Sequence, residues 1–268
     1  MDNLFSVENE VVVITGVSGQ MGIVYARAFL ERKATVIGID INQSNNSLEL
    51  SKCFPNTYVF LSGDVTDKNS LAKVMSQIKS KFEKITVLIN NAAIDSPPSA
   101  VAEDAGRFED LSEKNWDKVI EVNLKGVFLC CQIFGSSLVS YGGGSIINIA
   151  SIYGLVSPDQ SIYDYRRKRG EEFFKPAAYA ASKSALLNFT RYLATYWAKS
   201  SIRVNSLVIA GVQSTQDCEF LESYNKRIPI GRMARPEEYV GPVLFLASSA
   251  SSYMTGSNFV VDGGWTAI

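Results

Sequence analysis

Val11-Val12-Val13-Ile14-Thr15-Gly16-Val17-Ser18-Gly19-Gln20-Met21-Gly22 lies near the start of the chain. Its first five residues are apolar or β-branched on consecutive positions, the pattern of a strand covered on both faces. Glycines follow at once, and from Met21 to Glu31 the apolar spacing becomes helical. Glycines in a loop alone make an ordinary turn. Between a buried strand and a helix they permit a tight turn, let the backbone approach a pyrophosphate, and allow helix and strand to pack without side chains between them. The phosphates then meet unpaired amides at the positive end of the helix. Gly16, Ser18, Gly19, Gln20, Met21 and Gly22 are therefore candidate dinucleotide contacts.

Outward from this unit the rhythm repeats. Glu10–Thr15, Thr35–Asp40, Thr57–Leu61, Thr86–Asn90, Ser145–Ile149, Arg203–Ile209 and Asn258–Val261 read as strands. Met21–Glu31, Ser70–Lys81, Glu113–Leu138, Tyr179–Ala198 and Pro236–Ala247 read as helices. Alternation of this kind predicts an α/β fold: a single-domain, Rossmann-type doubly wound parallel sheet of about seven strands with helices on both faces. No repeat or linker divides residues 1–268. One segment, Val156–Lys175, is polar, aromatic and basic where a short loop would suffice, and it reads as an insertion.

Composition excludes several chemistries. The chain has 268 residues and no histidine, so neither a Ser-His-Asp site nor a His-ligated zinc centre can be built, and no metal site is expected. Acid–base work near neutral pH falls to Tyr, Lys, Asp, Glu, Cys or a cofactor. Cys53, Cys130, Cys131 and Cys218 lack the spacing of a zinc or disulfide framework, and the adjacent pair reads as buried thiols. A net charge of −1 gives no bulk attraction to nucleic acid or anionic membrane. No apolar run approaches the roughly 20 residues that span a bilayer, and Met1–Glu10 lacks the order of a secretion signal. The expected compartment is the cytoplasm, with neither nucleic acid nor membrane as partner.

Asp40 ends the second strand, eighteen positions after Gly22. A carboxylate there accepts the adenosine ribose hydroxyls and repels a 2′-phosphate. Ile41 and Asn42 follow it and no cation lies in the glycine loop. The expected cofactor is NAD; the plain alternative is an Asp that caps a turn. Asp64 and Val65 close the third strand, where Asp64 can meet the adenine amino group, and Asn91, Ala92 and Ala93 close the fourth, where small residues let a nucleotide lie close.

Tyr179 and Lys183 open a helical segment with a spacing of four, which puts both on one face. Lys183 can then stabilise a Tyr179 phenolate and lower its pKa from about 10. Ser151 follows the fifth strand, where its hydroxyl can hold a substrate oxygen. Asn123 sits inside a helix, awkwardly for a side chain that competes with the backbone, and suits a bend or a water anchor.

With these motifs, and with Gly231-Arg232, Pro236-Glu237-Glu238 and Val261-Asp262-Gly263-Gly264, the chain resembles the short-chain dehydrogenase/reductase family from Val11 to Gly264. The resemblance implies NAD-dependent hydride transfer between a secondary alcohol and a ketone. It makes Tyr179 the general acid/base and gives Lys183 the nicotinamide ribose. Ser151 would orient the substrate oxygen, Asn123 would fix a proton-relay water, and Val212 and Thr215 would be further cofactor contacts. The sequence departs from the family pattern at four places. Gln20 stands where the second glycine usually is, Ala93 replaces a common glycine, and Ala210-Gly211 replaces Pro-Gly. Ser151 and Tyr179 are 28 positions apart, far more than is usual.

The extra residues fall between two catalytic positions, so residues 156–175 are expected to border the active site. Tyr153, Arg166, Arg167 and Arg169 are candidate substrate contacts, the arginines suiting an anionic oxygen group. A solvated loop or a subunit contact is the plainer reading of the same cations. The glycine-loop variant and the insertion are similar to a bacterial subgroup of flagellin-modification and nonulosonic-acid-pathway oxidoreductases, which implies a sugar, an anionic one included. Two alternatives stay open: sugar-nucleotide epimerisation or dehydration with tightly held NAD, and a silent nucleotide-binding scaffold. Trp116, Ile120, Val127 and Phe128, with Phe189, Tyr192, Leu193, Tyr196 and Trp197, supply apolar surface for an expected homodimer or homotetramer.

Overall fold

The computed structural model describes residues 3–95 and 105–268. Seven strands form one parallel sheet: β1 (Val11–Thr15), β2 (Thr35–Asp40), β3 (Tyr58–Ser62), β4 (Val87–Asn90), β5 (Gly144–Ser151), β6 (Ile202–Ile209) and β7 (Asn258–Val261). Their order is β3-β2-β1-β4-β5-β6-β7, every pairing parallel. The helices are α1 (Gln20–Leu30), α2 (Asn45–Cys53), α3 (Lys68–Lys81), α4 (Glu113–Ile120), α5 (Gly126–Ser140), α6 (Asp164–Lys168), α7 (Ala177–Trp197), α8 (Cys218–Arg227) and α9 (Val240–Ala247).

Alternate strand residues serve two cores, as the two-residue period of a strand requires. Val12, Ile14, Val36, Ile89, Ile147 and Leu207 pack under α1 and α9. Val13, Ile37, Leu88, Ile146 and Val204 pack under α3, α5 and α7. Continuous apolar strands thus feed both faces. A third cluster of Ile152, Tyr153, Ile162, Tyr163, Phe173, Phe220, Tyr224 and Trp265 lies beyond the C-terminal ends of β5 and β6. It is built largely from the insertion and α8.

α4 and α5 are one continuous helix, Glu113–Ser140, interrupted by a π-helical turn at Glu121–Lys125. By length and composition this helix is apolar enough to cross a bilayer, although no uninterrupted apolar run announces it. A little over half of its most apolar stretch is buried inside the fold. It is a core helix here, covering the sheet beside α3 and α7. The chain order reverses at β1 and β4, which carry on to opposite edges of the sheet. Ligands in open α/β sheets bind outside the strand ends at such a switch point, and the glycine loop leaves β1 there.

Candidate active site

The glycine loop is shaped by contacts that only glycine allows. Gly16 has φ +66°, and a Cβ on it would lie 2.7 Å from the Ala92 Cα. A Cβ on Gly22 would lie 2.3 Å from the Gly16 carbonyl oxygen. These two residues lock the loop against β4 and α1. Gly19 differs: a Cβ there would meet only the Gly16 carbonyl at 3.5 Å, so its outer face is open. It is also the N-cap of α1 and carries no side-chain cap, which leaves the first-turn amides to an external acceptor. An open glycine face over uncapped amides fits a pyrophosphate.

The neighbouring candidates form the walls. Asn91 donates from Nδ2 to the carbonyls of Thr15 and Gly16, both at 3.0 Å, and the Asn91 and Ala92 amides both donate to Thr15 Oγ1 at 3.1 Å. The β4 loop is therefore riveted to the glycine loop, with Ala93 beside it. Asp40 accepts from the Ser18 amide (2.9 Å) and the Ile41 amide (2.8 Å), so it does cap its turn. A carboxylate accepts at about four positions, and the remaining ones suit a ribose. Ser18 Oγ donates to the Asn42 carbonyl at 2.6 Å, and Ile41 is exposed. Asp64 accepts from the amide and hydroxyl of Thr66. Val65 packs into the second core against Gly126. Met21 packs at the edge of the first core. Gln20 reaches across the cleft, its Nε2 donating to the Gln213 carbonyl at 2.9 Å. Val212 pairs with Ala234, and Thr215 is exposed on the loop beyond.

Ser151 ends β5 and Tyr179 and Lys183 occupy the first turns of α7, and the fold brings all three together. Tyr179 and Ser151 line the same cavity. The Lys183 ammonium donates to the Ile149 carbonyl at 2.7 Å and lies 5.7 Å from the Tyr179 ring centroid. The wide sequence gap to Ser151 loops out as the insertion and leaves this geometry intact. Asn123 lies in the π turn and is buried. Its Oδ1 accepts from the Ile94 amide at 2.8 Å, and its Nδ2 donates to the Ile94 carbonyl and to Ser182 Oγ. The side chain thus splices the β4 loop to α7, and any water anchor in this turn would have to use backbone carbonyls.

Lys183 was expected to draw the Tyr179 phenol down; the structure places it higher instead. Burial is the largest cause and raises it well above its ordinary value, Asp95 adds to the rise, and the Ser151 hydroxyl opposes it. Burial also pushes Lys183 down to about 8.

A cavity of about 220 Å³ opens beside this group, lined by Asp95, Ser151, Tyr153, Tyr163, Lys175, Tyr179, Gly211, Val212, Phe220, Tyr224 and others. Tyr153 is in its wall. The three arginines are not among the lining residues. Arg166 pairs with Glu171 and stacks on Phe173, Arg167 pairs with Asp164 and caps the Gln160 and Phe173 carbonyls, and Arg169 pairs with Glu219. They hold the insertion together rather than face the cavity. Lys175 and Asp95 face it instead, joined at 2.6 Å, with the Lys175 side chain only 4% exposed. Sequence reasoning passed over both. The available signal was a lone cation in the run Phe173-Phe174-Lys175-Pro176, one turn before Tyr179.

A family model described as enoyl-(acyl carrier protein) reductase matches residues 16–266. The chain is 34% identical over 270 residues to an NAD-dependent glycerol dehydrogenase of Listeria innocua, covering 99% of this chain and 97% of that one. It superposes on a short-chain dehydrogenase of Leptospira borgpetersenii with bound NAD+ at TM-score 0.87, with 31% identity over 99% of this chain and 96% of that one. A gluconate 5-dehydrogenase of Burkholderia cenocepacia in complex with NADP and tartrate superposes at TM-score 0.85, with 25% identity over 99% and 98% of the two chains.

Proposed function

Because the chain belongs to the short-chain dehydrogenase/reductase family, we propose that it interconverts a secondary alcohol and a ketone on a polyol or sugar with NAD. The observation that carries this is the placement of Ser151 and Tyr179 on one cavity at the strand ends, with the Lys183 ammonium 5.7 Å from the Tyr179 ring centroid. When bound, the dinucleotide supplies hydride acceptance. It would be held by Gly16, Gly19, the first turn of α1, Asp40 and the Asn91–Ala93 loop.

The chain's own groups handle the proton. A substrate oxygen seated between Ser151 Oγ and the Tyr179 phenol receives a hydrogen bond from one and exchanges its proton with the other. Tyr179 is held as the neutral phenol by burial, so it rests as the proton donor that ketone reduction needs. For alcohol oxidation it must bear charge, and the Lys183 ammonium beside it stabilises that charge. The NAD preference follows from Asp40, which leaves a 2′-phosphate facing a carboxylate. The polyol reading draws support from the likeness to the glycerol dehydrogenase above.

The test mixes purified protein with NAD and a panel of polyols and sugars and follows reduced nicotinamide by absorbance. Tyr179→Phe should lower turnover on the order of 10²–10⁴-fold, the range of general acid–base catalysis. A variant as active as the parent would refute the mechanism.

A further inference from the structure

Resting on the oxidoreductase reading above, we propose that the Asp95–Lys175 ion pair is the substrate-reading element of the cavity. It selects an uncharged, hydroxyl-rich substrate over its carboxylate or phosphate counterpart. Lys175 Nζ and Asp95 Oδ2 meet at 2.6 Å, and Lys175 Nζ lies 5.2 Å from the Tyr179 ring centroid, on the same cavity wall as the reacting hydroxyls. The pair is therefore within reach of the carbon next to the reacting one.

Its place is fixed by the backbone. Gln160 clamps Lys175 on both sides, accepting from its amide at 2.8 Å and donating to its carbonyl at 3.0 Å, while Phe174 donates to the Ala105 carbonyl. Asp95 follows Ile94, which Asn123 holds at both its amide and its carbonyl. A pair anchored at both ends presents a fixed donor beside a fixed acceptor.

An ammonium only donates and a carboxylate only accepts, whereas a substrate hydroxyl does both. One hydroxyl, or two on adjacent carbons, can satisfy both partners. A substrate carboxylate near the pair is drawn to Lys175 and repelled by Asp95 at almost the same distance, so the two Coulomb contributions nearly cancel. The cancellation matters because Asp95 and Lys175 are the only Asp, Glu, Lys or Arg among the described residues lining this cavity. The cations first expected to meet an anion, Arg166, Arg167 and Arg169, are paired with carboxylates of the insertion and α8.

The experiment compares ribitol with ribonate, which differ in one terminal group, on the full chain with NAD at pH 7. The parent should favour ribitol in kcat/KM by at least tenfold. Asp95→Asn removes the carboxylate charge beside the Lys175 ammonium and should narrow or reverse that ratio by tenfold or more, through gain of ribonate. Lys175→Met should raise KM for ribitol more than it lowers kcat. Removing the partner of the buried Lys175 can destabilise the protein, so Asp95→Asn/Lys175→Gln supplies a neutral-for-neutral control, with melting temperature and NAD affinity read for each. A parent that prefers ribonate, or an Asp95→Asn ratio equal to the parent's, overturns the proposal. If no alcohol is turned over, the oxidoreductase reading falls separately. Saturation-transfer NMR of the same two ligands then decides the pair's role by the same ratio.

Discussion

Tyr179 and Lys183 stand one helical turn apart, and burial drives both toward their neutral forms: the phenol upward, the ammonium down to about 8. For Lys183 the folded value lies below its ordinary 10.5. Between those two pH values the unfolded chain binds more protons than the folded one, so stability rises with pH there. The penalty of burying the charged ammonium is complete below about pH 8 and is relieved as the pH climbs toward 10.5. Tyr179 acts with the opposite sign at higher pH, because above its ordinary 10.0 the unfolded chain deprotonates first. Thermal midpoints measured from pH 7 to 10 should therefore slope upward in the parent and flatten in Lys183→Met. Catalysis gives a second reading. Ketone reduction should fall above about pH 8 as Lys183 loses its charge, and Lys183→Arg, whose guanidinium stays protonated, should lose that limb of the profile. A limb unmoved by the substitution would assign it to another group.

At the scale of elements, the turn between β1 and α1 carries two separable requirements. Gly22→Ala forces a methyl to within 2.3 Å of the Gly16 carbonyl, an overpacking that should cost about 1–3 kcal/mol in denaturant unfolding and weaken NAD binding at least tenfold by calorimetry. Gly19→Ala meets no such obstacle within the protein; it should leave stability nearly unchanged while still weakening NAD. Asp40→Ala should shift the ratio of NAD to NADP affinity toward NADP by tenfold or more in the same titration. The strands and this turn were readable because consecutive apolar residues and glycine punctuation are local signals. α2 was not, since only Ser47 and Leu50 of its residues are buried and its cap is a Ser44 side chain accepting from the Ser47 amide. α8 hid for the same reason, anchored mainly by Phe220 and Tyr224. The π turn around Asn123 left only an awkward polar residue as its trace, because a one-residue slip in helical phase has no composition of its own. The Asp95–Lys175 contact joins positions 80 apart, and no local pattern announces a pairing set by tertiary folding.

For the molecule as a whole, Phe128, Tyr192 and Tyr196 stay exposed on α5 and α7 around a groove that Phe189, Leu193 and Trp197 help to line. Apolar patches of this kind mark association surfaces. Light scattering should give a mass of at least two chains, and Phe128→Glu with Tyr192→Glu should shift it toward one. A parent that is monomeric at working concentration would remove this face as an interface. The bond from Gln20 to the Gln213 carbonyl joins residues 193 apart in the chain. It ties the rim of the cofactor cleft to the loop that follows β6. Being exposed, it is worth only about 0.5–1.5 kcal/mol, too little to matter for folding. A dinucleotide leaving between those two rims must part them, and so this small bond bears on how long the spent coenzyme lingers. Stopped-flow release of NADH from Gln20→Gly should be a few-fold faster than from the parent, and where release limits turnover, kcat should rise with it.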